Sequence, residues 1–193
     1  MTPLRADASI LCLFANGVDE TQFTEIQRAV IKAGYKLTTV APSTGVVQSW
    51  HGASWGHFYP VDKVVGEVLG SDFDALIVPG GQRAMQKLRE NLHTRRLINH
   101  FLEANKPITV MGEAVGLLAL SPKISGREVT AAPADADVLR AQHVTLTTAD
   151  IVHDDNLLTA LGPAPDAWVQ ASLQLFSTGQ VEETHADMIA EAA

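Results

Sequence analysis

Hydrophobic residues in this chain fall into short continuous runs, separated by segments in which they recur at helical spacing. The first run, Ser9 to Ala15, does not alternate with polar residues, which predicts a strand buried on both faces. An apolar face at helical spacing follows, formed by Phe23, Ile26, Val30 and Ala33. Gly34 ends this predicted helix, and Lys36 to Ala41 predicts a second strand. The pattern indicates a right-handed βαβ unit with parallel strands.

The same alternation continues along the chain. Further strands are predicted at Ala75–Val78, Ile108–Met111, Gly126–Ala131, Ala149–His153 and Leu157–Ala160, the last two flanking a tight turn at Asp154-Asp155-Asn156. Helices are predicted at Val61–Leu69, Gln82–Glu90, Thr94–Ala104, Ala134–Ala141 and Pro165–Phe176. Alternating strands and helices predict an α/β fold with a mainly parallel, doubly wound sheet. In such a fold, ligands are expected at the carboxyl ends of the strands.

The segment from Pro42 to Pro60 breaks this pattern. Its glycines and aromatic residues predict a hairpin or a long loop. The stretch Trp50 to Tyr59 either packs over a sheet edge or a subunit interface, or forms an aromatic pocket wall from which His51 or His57 reaches a ligand. Two histidines without carboxylate or cysteine companions at ligand spacing do not predict a metal site.

The length and net charge of the chain favour a single-domain protein and argue against proteins that bind nucleic acid or membranes. The 193 residues favour a single domain (1–193), with its core at about residues 9–176 and an acidic segment, 177–193, as a mobile tail or an arm on a partner subunit. The net charge of −8 argues against binding to nucleic acid or anionic membranes, and Arg95-Arg96 is too small a basic cluster to change that. No apolar run approaches the ~20 residues that span a bilayer, so we expect a cytoplasmic protein.

The only cysteine, Cys12, lies inside the first apolar run. It cannot form an internal disulfide. Because reactive thiols lie in exposed electropositive surroundings, we expect Cys12 to be a small core residue instead.

Candidate chemistry concentrates where predicted strands end. The strand Ile108–Met111 turns at Gly112 into an apolar helix beginning near Glu113, the kind of strand-to-helix elbow that can carry a nucleophile. Here the apex is a glycine, which suits a turn with positive φ. The loop Pro79-Gly80-Gly81 can present backbone N–H groups to an oxyanion. After the first strand, Asn16-Gly17-Val18-Asp19 forms a turn with Asp19 as a helix cap.

Two interpretations are open for the carboxylates of Asp19, Glu20 and Glu113. Glu113 gains about 0.3–1 kcal/mol from a helix N-terminus, which is a sufficient structural reason for it. Alternatively, Asp19 or Glu20 faces Glu113 across the cleft, and the pair shares a proton as an acid/base couple. A divalent ion is disfavoured because two acids supply too few ligands.

Several motifs together closely resemble the ThiJ/PfpI family of the class I glutamine-amidotransferase-like superfamily. They are Ala15-Asn16-Gly17-Val18-Asp19-Glu20, Ile77-Val78-Pro79-Gly80-Gly81, Val110-Met111-Gly112-Glu113, Lys106-Pro107 and Gly126-Arg127-Glu128-Val129-Thr130. The likeness runs from about Ser9 to Phe176. It implies a flavodoxin-like three-layer sandwich, usually dimeric, whose active members use an elbow cysteine, a neighbouring histidine and an acid after the first strand.

Position by position, the resemblance places the elbow cysteine at Gly112 and the histidine at Glu113. The acid falls on Asp19 or Glu20, and the oxyanion glycines fall on Gly80 and Gly81. A glycine has no side chain with which to attack a substrate. The sequence around Gly112-Glu113 also looks like that of the C-terminal flavodoxin-like domain of large-subunit catalases, in which the elbow cysteine is likewise missing. The resemblance implies that a stand-alone relative of that domain has no catalase activity of its own.

These observations lead to one hypothesis and two rivals. The first is a non-catalytic ThiJ/PfpI-like domain without cofactor, which acts through homo-oligomerisation, stabilisation or binding of a small molecule at the old cleft. The second is a hydrolase or lyase that uses Asp19, Glu20 and Glu113 as acid/base groups. The third, a flavin or nucleotide binder, is disfavoured because no Gly-rich phosphate motif follows the first strand.

Overall fold

A seven-stranded sheet forms the centre of the molecule. The structure, a computed structural model, describes residues 2–162 and 165–181. From one edge to the other, the sheet consists of residues 151–154, 157–160, 108–111, 75–78, 9–13, 36–41 and 63–64, and all neighbouring strands are parallel except the antiparallel first pair. These strands are β1 (Ser9–Leu13), β2 (Lys36–Ala41), β5 (Lys63–Val64), β6 (Ala75–Val78), β7 (Ile108–Met111), β10 (Ile151–Asp154) and β11 (Leu157–Ala160).

Helices cover the sheet. They are α1 (Glu20–Lys32), α2 (Gln82–Glu90), α3 (Leu92–Glu103), α4 (Ala136–Arg140) and α5 (Asp166–Thr178). The path from β1 through α1 to β2 and the path from β6 through α2 and α3 to β7 run towards opposite edges of the sheet. Because such crossovers are right-handed, the two sets of helices lie on opposite faces. The chain therefore has the flavodoxin-like, mostly parallel α/β architecture predicted from its sequence.

Two small sheets complete the described part of the chain. The aromatic segment forms the predicted hairpin from β3 (Val46–His51) and β4 (Ser54–Pro60), while β8 (Glu128–Thr130) pairs with β9 (Thr145–Thr147). The hairpin is attached to the core by Tyr59, whose ring packs edge-on against Phe23 with centroids 4.7 Å apart. Phe23 in turn stacks on Phe14 at 5.0 Å. This aromatic contact joins the hairpin to α1 and the central sheet.

One predicted helix is wrong. Residues Val61–Leu69 do not form a helix; they contribute the short edge strand β5, in which Val64 pairs with Ala41 of β2. Asp62 stabilises this arrangement, since its carboxylate accepts hydrogen bonds from the Thr39 N–H (2.8 Å) and hydroxyl (2.7 Å). The segment is rich in valine, whose branched side chain favours strands, and it also contains Gly66.

Other boundaries agree closely with expectation. The helix after the elbow spans Gly112–Leu120, and its hydrogen bonds are of the tighter 3₁₀ type; we call it the elbow helix. The acidic residues Glu182, Glu183 and Asp187 of the predicted tail lie outside the described residues. Within residues 2–162 and 165–181, no helix has the length and apolar character needed to cross a membrane.

Candidate functional site

Three loops meet at the carboxyl ends of the adjacent strands β1, β6 and β7. Asp19 at the end of the first loop donates its N–H to the Gly80 carbonyl oxygen of the second (3.0 Å). Gly81 has φ +116°, and a Cβ there would lie 2.5 Å from the Gly17 oxygen and 2.6 Å from the Asp19 nitrogen. Only glycine allows this approach, so the Gly80-Gly81 loop is held tightly against the loop before α1.

The elbow at Gly112 keeps the backbone geometry of a nucleophile turn. Its φ is +60°, the left-handed conformation that glycine adopts without strain. Its neighbour Glu113 lies in the first turn of the elbow helix, as the helix N-terminus interpretation requires, but no side-chain hydrogen bond caps that helix. Instead the Glu113 Oε2 accepts a hydrogen bond from the Gly81 N–H at 3.0 Å, at the residue that precedes α2. The carboxylate therefore satisfies one of the two glycine N–H groups of the predicted oxyanion site.

The second of these N–H groups, that of Gly80, is hydrogen-bonded to the side chain of Gln22. Its Oε1 accepts from the Gly80 N–H at 2.7 Å, and its Nε2 lies 3.6 Å from the point where a Cβ of Gly112 would stand. The carboxamide thus lies between the oxyanion loop and the apex of the elbow. Both backbone donors that face the cleft are bonded to side chains of the protein itself.

Sequence reasoning missed Gln22. The segment Asp19-Glu20-Thr21-Gln22 matches a capping box, in which the fourth residue normally reaches back to the backbone N–H of the first. Half of that motif is present, because Asp19 Oδ1 accepts from the Gln22 N–H at 2.9 Å, which confirms Asp19 as the cap of α1. The other half is redirected, since the Asp19 N–H is bonded to Gly80 and the Gln22 side chain is free to reach the elbow.

Glu20 faces the hairpin and has no partner at the elbow. Its Oε2 accepts hydrogen bonds from the Ser49 hydroxyl and from the His57 N–H (2.8 Å), and its Oε1 lies 3.0 Å from His57 Nδ1 and 3.7 Å from His51 Nδ1. Its side chain is 12% exposed. We call Glu20, Ser49, His51 and His57 the hairpin clasp.

The surroundings of Glu20 keep it ionised. The Ser49 hydroxyl, followed by the His57 backbone N–H, lowers the pKa of Glu20 to about 2, against the opposing effect of burial. A carboxylate that shares a proton with another acid has a raised pKa. No hydrogen bond joins any two of Asp19, Glu20 and Glu113; the first caps a helix, the second binds the hairpin and the third binds Gly81.

Comparison with known proteins gives the family. The model of the DJ-1/PfpI family matches residues 8–175. The chain belongs to the DJ-1/PfpI family. It is similar to protein/nucleic acid deglycase 2 of Escherichia coli K12, with 27% identity over 155 residues that cover 80% of this chain and 88% of that protein.

Two further DJ-1/PfpI relatives have similar coverage. The deglycase PH1704 of Pyrococcus horikoshii is 25% identical over 167 residues, which cover 86% of this chain and 98% of that protein. Among solved structures, a ThiJ/PfpI domain protein from Brachyspira murdochii aligns with a TM-score of 0.79 and 23% identity, over 89% of this chain and 97% of that one. This structural likeness supports the fold.

The sole thiol of this DJ-1/PfpI domain is not at the elbow. Cys12 lies in β1 between β2 and β6, is fully buried, and burial raises the pKa of its thiol. It is the core residue that we had expected. The elbow itself therefore carries no thiol, hydroxyl or amine nucleophile at its apex.

Aromatic and basic side chains lie beside the cleft. The guanidinium of Arg83, in the first turn of α2, lies 4.2 Å from the Trp50 ring centroid and 5.8 Å from that of Trp55. The two tryptophan rings meet edge-on at 5.4 Å. The tryptophan rings therefore make cation–π contacts with the Arg83 guanidinium, and these contacts attach the hairpin to α2.

Among the described residues we find neither a cluster of metal ligands nor an open phosphate site at the start of α1. Within 2–162 and 165–181, no three His, Cys, Asp or Glu side chains are grouped so as to hold a metal ion. The Asp19 carboxylate occupies the N-terminus of α1, where a nucleotide phosphate would otherwise meet the helix. A cavity of about 440 Å³ lies away from the elbow on one face of α3, lined by Leu92, Arg95, Arg96, Asn99, His100 and Glu103.

Proposed function

We propose that this DJ-1/PfpI chain is a binding domain that works without nucleophilic catalysis at its elbow. The observation that carries the proposal is the self-occupied cleft. The Gly80 and Gly81 N–H groups, which would stabilise an oxyanion, donate instead to Gln22 (2.7 Å) and Glu113 (3.0 Å). Relatives named deglycases are similar to this chain along most of its length.

Two requirements of covalent catalysis are missing together. An activated nucleophile needs a side chain at the apex and a base beside it, and Gly112 supplies none. Oxyanion stabilisation needs donors aimed at the developing charge, and loss of one such donor costs about 2.7–4 kcal/mol in the transition state. Here both candidate donors are already bonded. The acid/base alternative has less support, because Glu20 is bound to the hairpin clasp and remains ionised.

A Gly112→Cys substitution tests this proposal. Apart from its neighbours in the chain and the backbone of its own helix, the new Cβ would have only Gln22 Nε2 within 4 Å among the described residues, so a cysteine fits there at the cost of backbone strain. A thiol reagent should label the variant rapidly at the new cysteine, whereas the parent protein should react only slowly, because Cys12 is fully buried. We expect the parent to hydrolyse no peptide, amide or glyoxal substrate.

The informative comparison is between Gly112→Cys and Gly112→Cys/Gln22→Ala. The first has a thiol but a blocked Gly80 N–H, so we expect labelling without turnover. The second also has a free donor, and any activity should appear there first. Thiol-independent hydrolysis by the parent protein, abolished by Glu113→Gln, would overturn the proposal.

We also propose that the chain self-associates through the β3–β4 hairpin. Between Lys36 and Asp62 the sequence has no Asp, Glu, Lys or Arg, although the chain carries a net charge of −8. Val46 (53% exposed) and Phe58 (63%) lie on one face of this hairpin, as the pairing of Val46 with Pro60 and Gln48 with Phe58 requires. Depletion of charge with exposed aromatic residues is typical of an interface core.

The uncharged hairpin is a surface on which two copies can meet without repulsion between like charges. The test is sedimentation of the parent protein, Phe58→Glu and Ile31→Glu at micromolar concentration. Ile31 is a matched control, since it is an exposed apolar residue on α1 (56% exposed). We expect dimers for the parent and for Ile31→Glu and monomers for Phe58→Glu. A monomeric parent protein would contradict this part of the proposal.

A further inference from the structure

We propose that the rings of Trp50 and Trp55 form a binding site for a large, weakly hydrated organic cation, such as a quaternary ammonium group. In the structure, the guanidinium of Arg83 takes the place of this ligand. The inference goes beyond the proposed function, because it assigns a ligand class to a site outside the elbow cleft. We call the two rings the aromatic corner.

The two rings of the aromatic corner can contact one cation at the same time. Their planes lie 86° apart and their centroids are 5.4 Å apart. A cation is attracted to an aromatic ring when it lies within about 6 Å of the ring centroid. The Arg83 Cζ atom meets this condition for both rings, at 4.2 Å from the Trp50 centroid and 5.8 Å from that of Trp55. This position therefore suits positive charge.

Hydrogen bonds hold the aromatic corner in place. The Trp50 indole N–H donates to the Gly52 carbonyl at 2.9 Å, and the Trp50 backbone N–H donates to the Val18 carbonyl at 2.7 Å. Trp55 pairs with Trp50 across the hairpin and is 49% exposed. The corner is thus built in advance and open to solvent at Trp55, so little ordering is needed when a ligand binds.

The hairpin places negative charge next to the aromatic corner. The carboxylate of Glu20 lies against Gly56, where a Cβ would collide with it, and it accepts a hydrogen bond from the Ser49 hydroxyl. These two residues directly follow and precede the two tryptophans in the chain. Between Lys36 and Lys63 the sequence contains no Lys or Arg. The electrostatic surroundings supplied by the hairpin therefore favour a cation over an anion.

Arg83 can leave the aromatic corner without breaking an ion pair. Within the part of the chain that the structure describes, its guanidinium pairs with no carboxylate, and the side chain is exposed. The Arg83 Cβ packs separately against Gly17, where a Cβ would collide with it. A tethered competitor acts at an effective concentration of about 1 mM or more, so the parent protein should bind an added cation only weakly.

The experiment follows the indole N–H signals of the three tryptophans by NMR while choline chloride is added. The parent protein is compared with Arg83→Ala, which keeps the Cβ that packs against Gly17 and suits a helix. Trp168 in α5 is 1% exposed and serves as an internal reference. We expect the Trp50 and Trp55 signals to shift, and Arg83→Ala to bind choline about tenfold more tightly than the parent does.

Matched controls separate charge from shape. Dimethylbutanol, the uncharged carbon analogue of choline, should bind Arg83→Ala much more weakly than choline does, and sodium chloride at equal concentration should cause no comparable shift. Arg28→Ala, which removes an exposed arginine from α1, should behave like the parent protein. Arg83→Ala/Trp55→Leu should lose choline binding. Arg83→Ala/Phe58→Glu should keep it, although Phe58 belongs to the proposed self-association surface.

Three results would overturn the inference. They are no shift of the Trp50 and Trp55 signals in Arg83→Ala, equal affinity of that variant for choline and dimethylbutanol, and loss of the shift in Arg83→Ala/Phe58→Glu. An unchanged Trp168 signal verifies that each variant is folded. Failure here leaves the proposed function standing, because that proposal is tested at Gly112 and by hydrolysis. Hydrolysis by the parent protein would refute the proposed function and leave choline binding at the corner unaffected.

Discussion

The first turn of α1 serves two regions that use their hydrogen bonds in different ways. Glu20 enters the hairpin clasp, where a carboxylate receives the Ser49 hydroxyl and the His57 N–H. Gln22, two residues later, enters the elbow cleft, where a neutral amide receives the Gly80 N–H. The charged residue thus holds the structure together, and the uncharged one occupies the place where chemistry would be sought.

The comparison shows that the type of side chain alone is a poor guide to the site. A carboxylate near a family motif invites an acid/base role, yet Glu20 is fixed by donors that favour its ionised form. An amide at the third position of a helix invites a capping role, yet Gln22 faces the elbow. Substitutions in the two regions should therefore have distinct consequences.

Gly81→Ala should have the largest effect, because it separates the loops on which the elbow cleft depends. The new Cβ would lie 2.5 Å from the Gly17 oxygen and 2.6 Å from the Asp19 nitrogen, in a backbone conformation with φ +116°. We expect a loss of about 3 kcal/mol or more in the free energy of unfolding, measured by chemical denaturation.

Gly126→Ala is the matched control for this substitution. Gly126 also has a positive φ (+79°), but a Cβ there meets nothing within 4 Å. Backbone strain alone should cost about 1–2 kcal/mol. Equal losses in the two variants would show that the close approach of the loops contributes little.

Glu20→Gln should have an intermediate effect and should change the response to acid. Losing the charge-assisted hydrogen bonds of the hairpin clasp should cost about 2 kcal/mol at neutral pH. Because the folded-state pKa (about 2) lies below the ordinary value of 4.5, the stabilisation is present above pH 4.5 and is lost as the pH falls towards 2.

Denaturation midpoints between pH 7 and pH 2 test this expectation. The parent protein should lose stability more steeply than Glu20→Gln across that window. Glu25→Gln, on the same helix and paired with the exposed Arg28, should cost only a few tenths of a kcal/mol, about what surface ion pairs contribute. A parallel acid response in the parent and Glu20→Gln would assign the pH dependence to other groups.

Apart from the control variants, Gln22→Ala should have the smallest effect on stability, about 1 kcal/mol. The buried Gly80 N–H loses its acceptor, but Gln22 itself is partly exposed, so water can take the place of its amide. A loss as large as that of Gly81→Ala would mean that Gln22 is a structural residue of the fold.

Most of the fold follows from the hydrophobic pattern, since buried strands and one-sided helices leave clear signals. The helix predicted at Val61–Leu69 failed because pairing with β2 and the Asp62–Thr39 bonds, both contacts between distant residues, decide that segment. For the segment from Pro42 to Pro60 the sequence predicted a hairpin or a long loop, and the structure has the hairpin of β3 and β4.

The site was less accessible to sequence reasoning. Gly80, Gly81, Gly112 and Glu113 were expected near one another, and the structure places them so. The role of Gln22 depends on a redirected capping box, which no local pattern reveals. The roles of Ser49 and His57 depend on the position of a hairpin far along the chain from Glu20.

The reaction of the buried Cys12 with a thiol reagent can report on the opening of the central sheet. Cys12 lies in the central strand β1 with a neighbouring strand on each side, so a thiol reagent can reach it only when the sheet separates. The rate of alkylation under native conditions therefore measures how often the central sheet opens. The same measurement would rank the variants above without denaturant, except for the two that contain Gly112→Cys, in which a second thiol reacts at the surface.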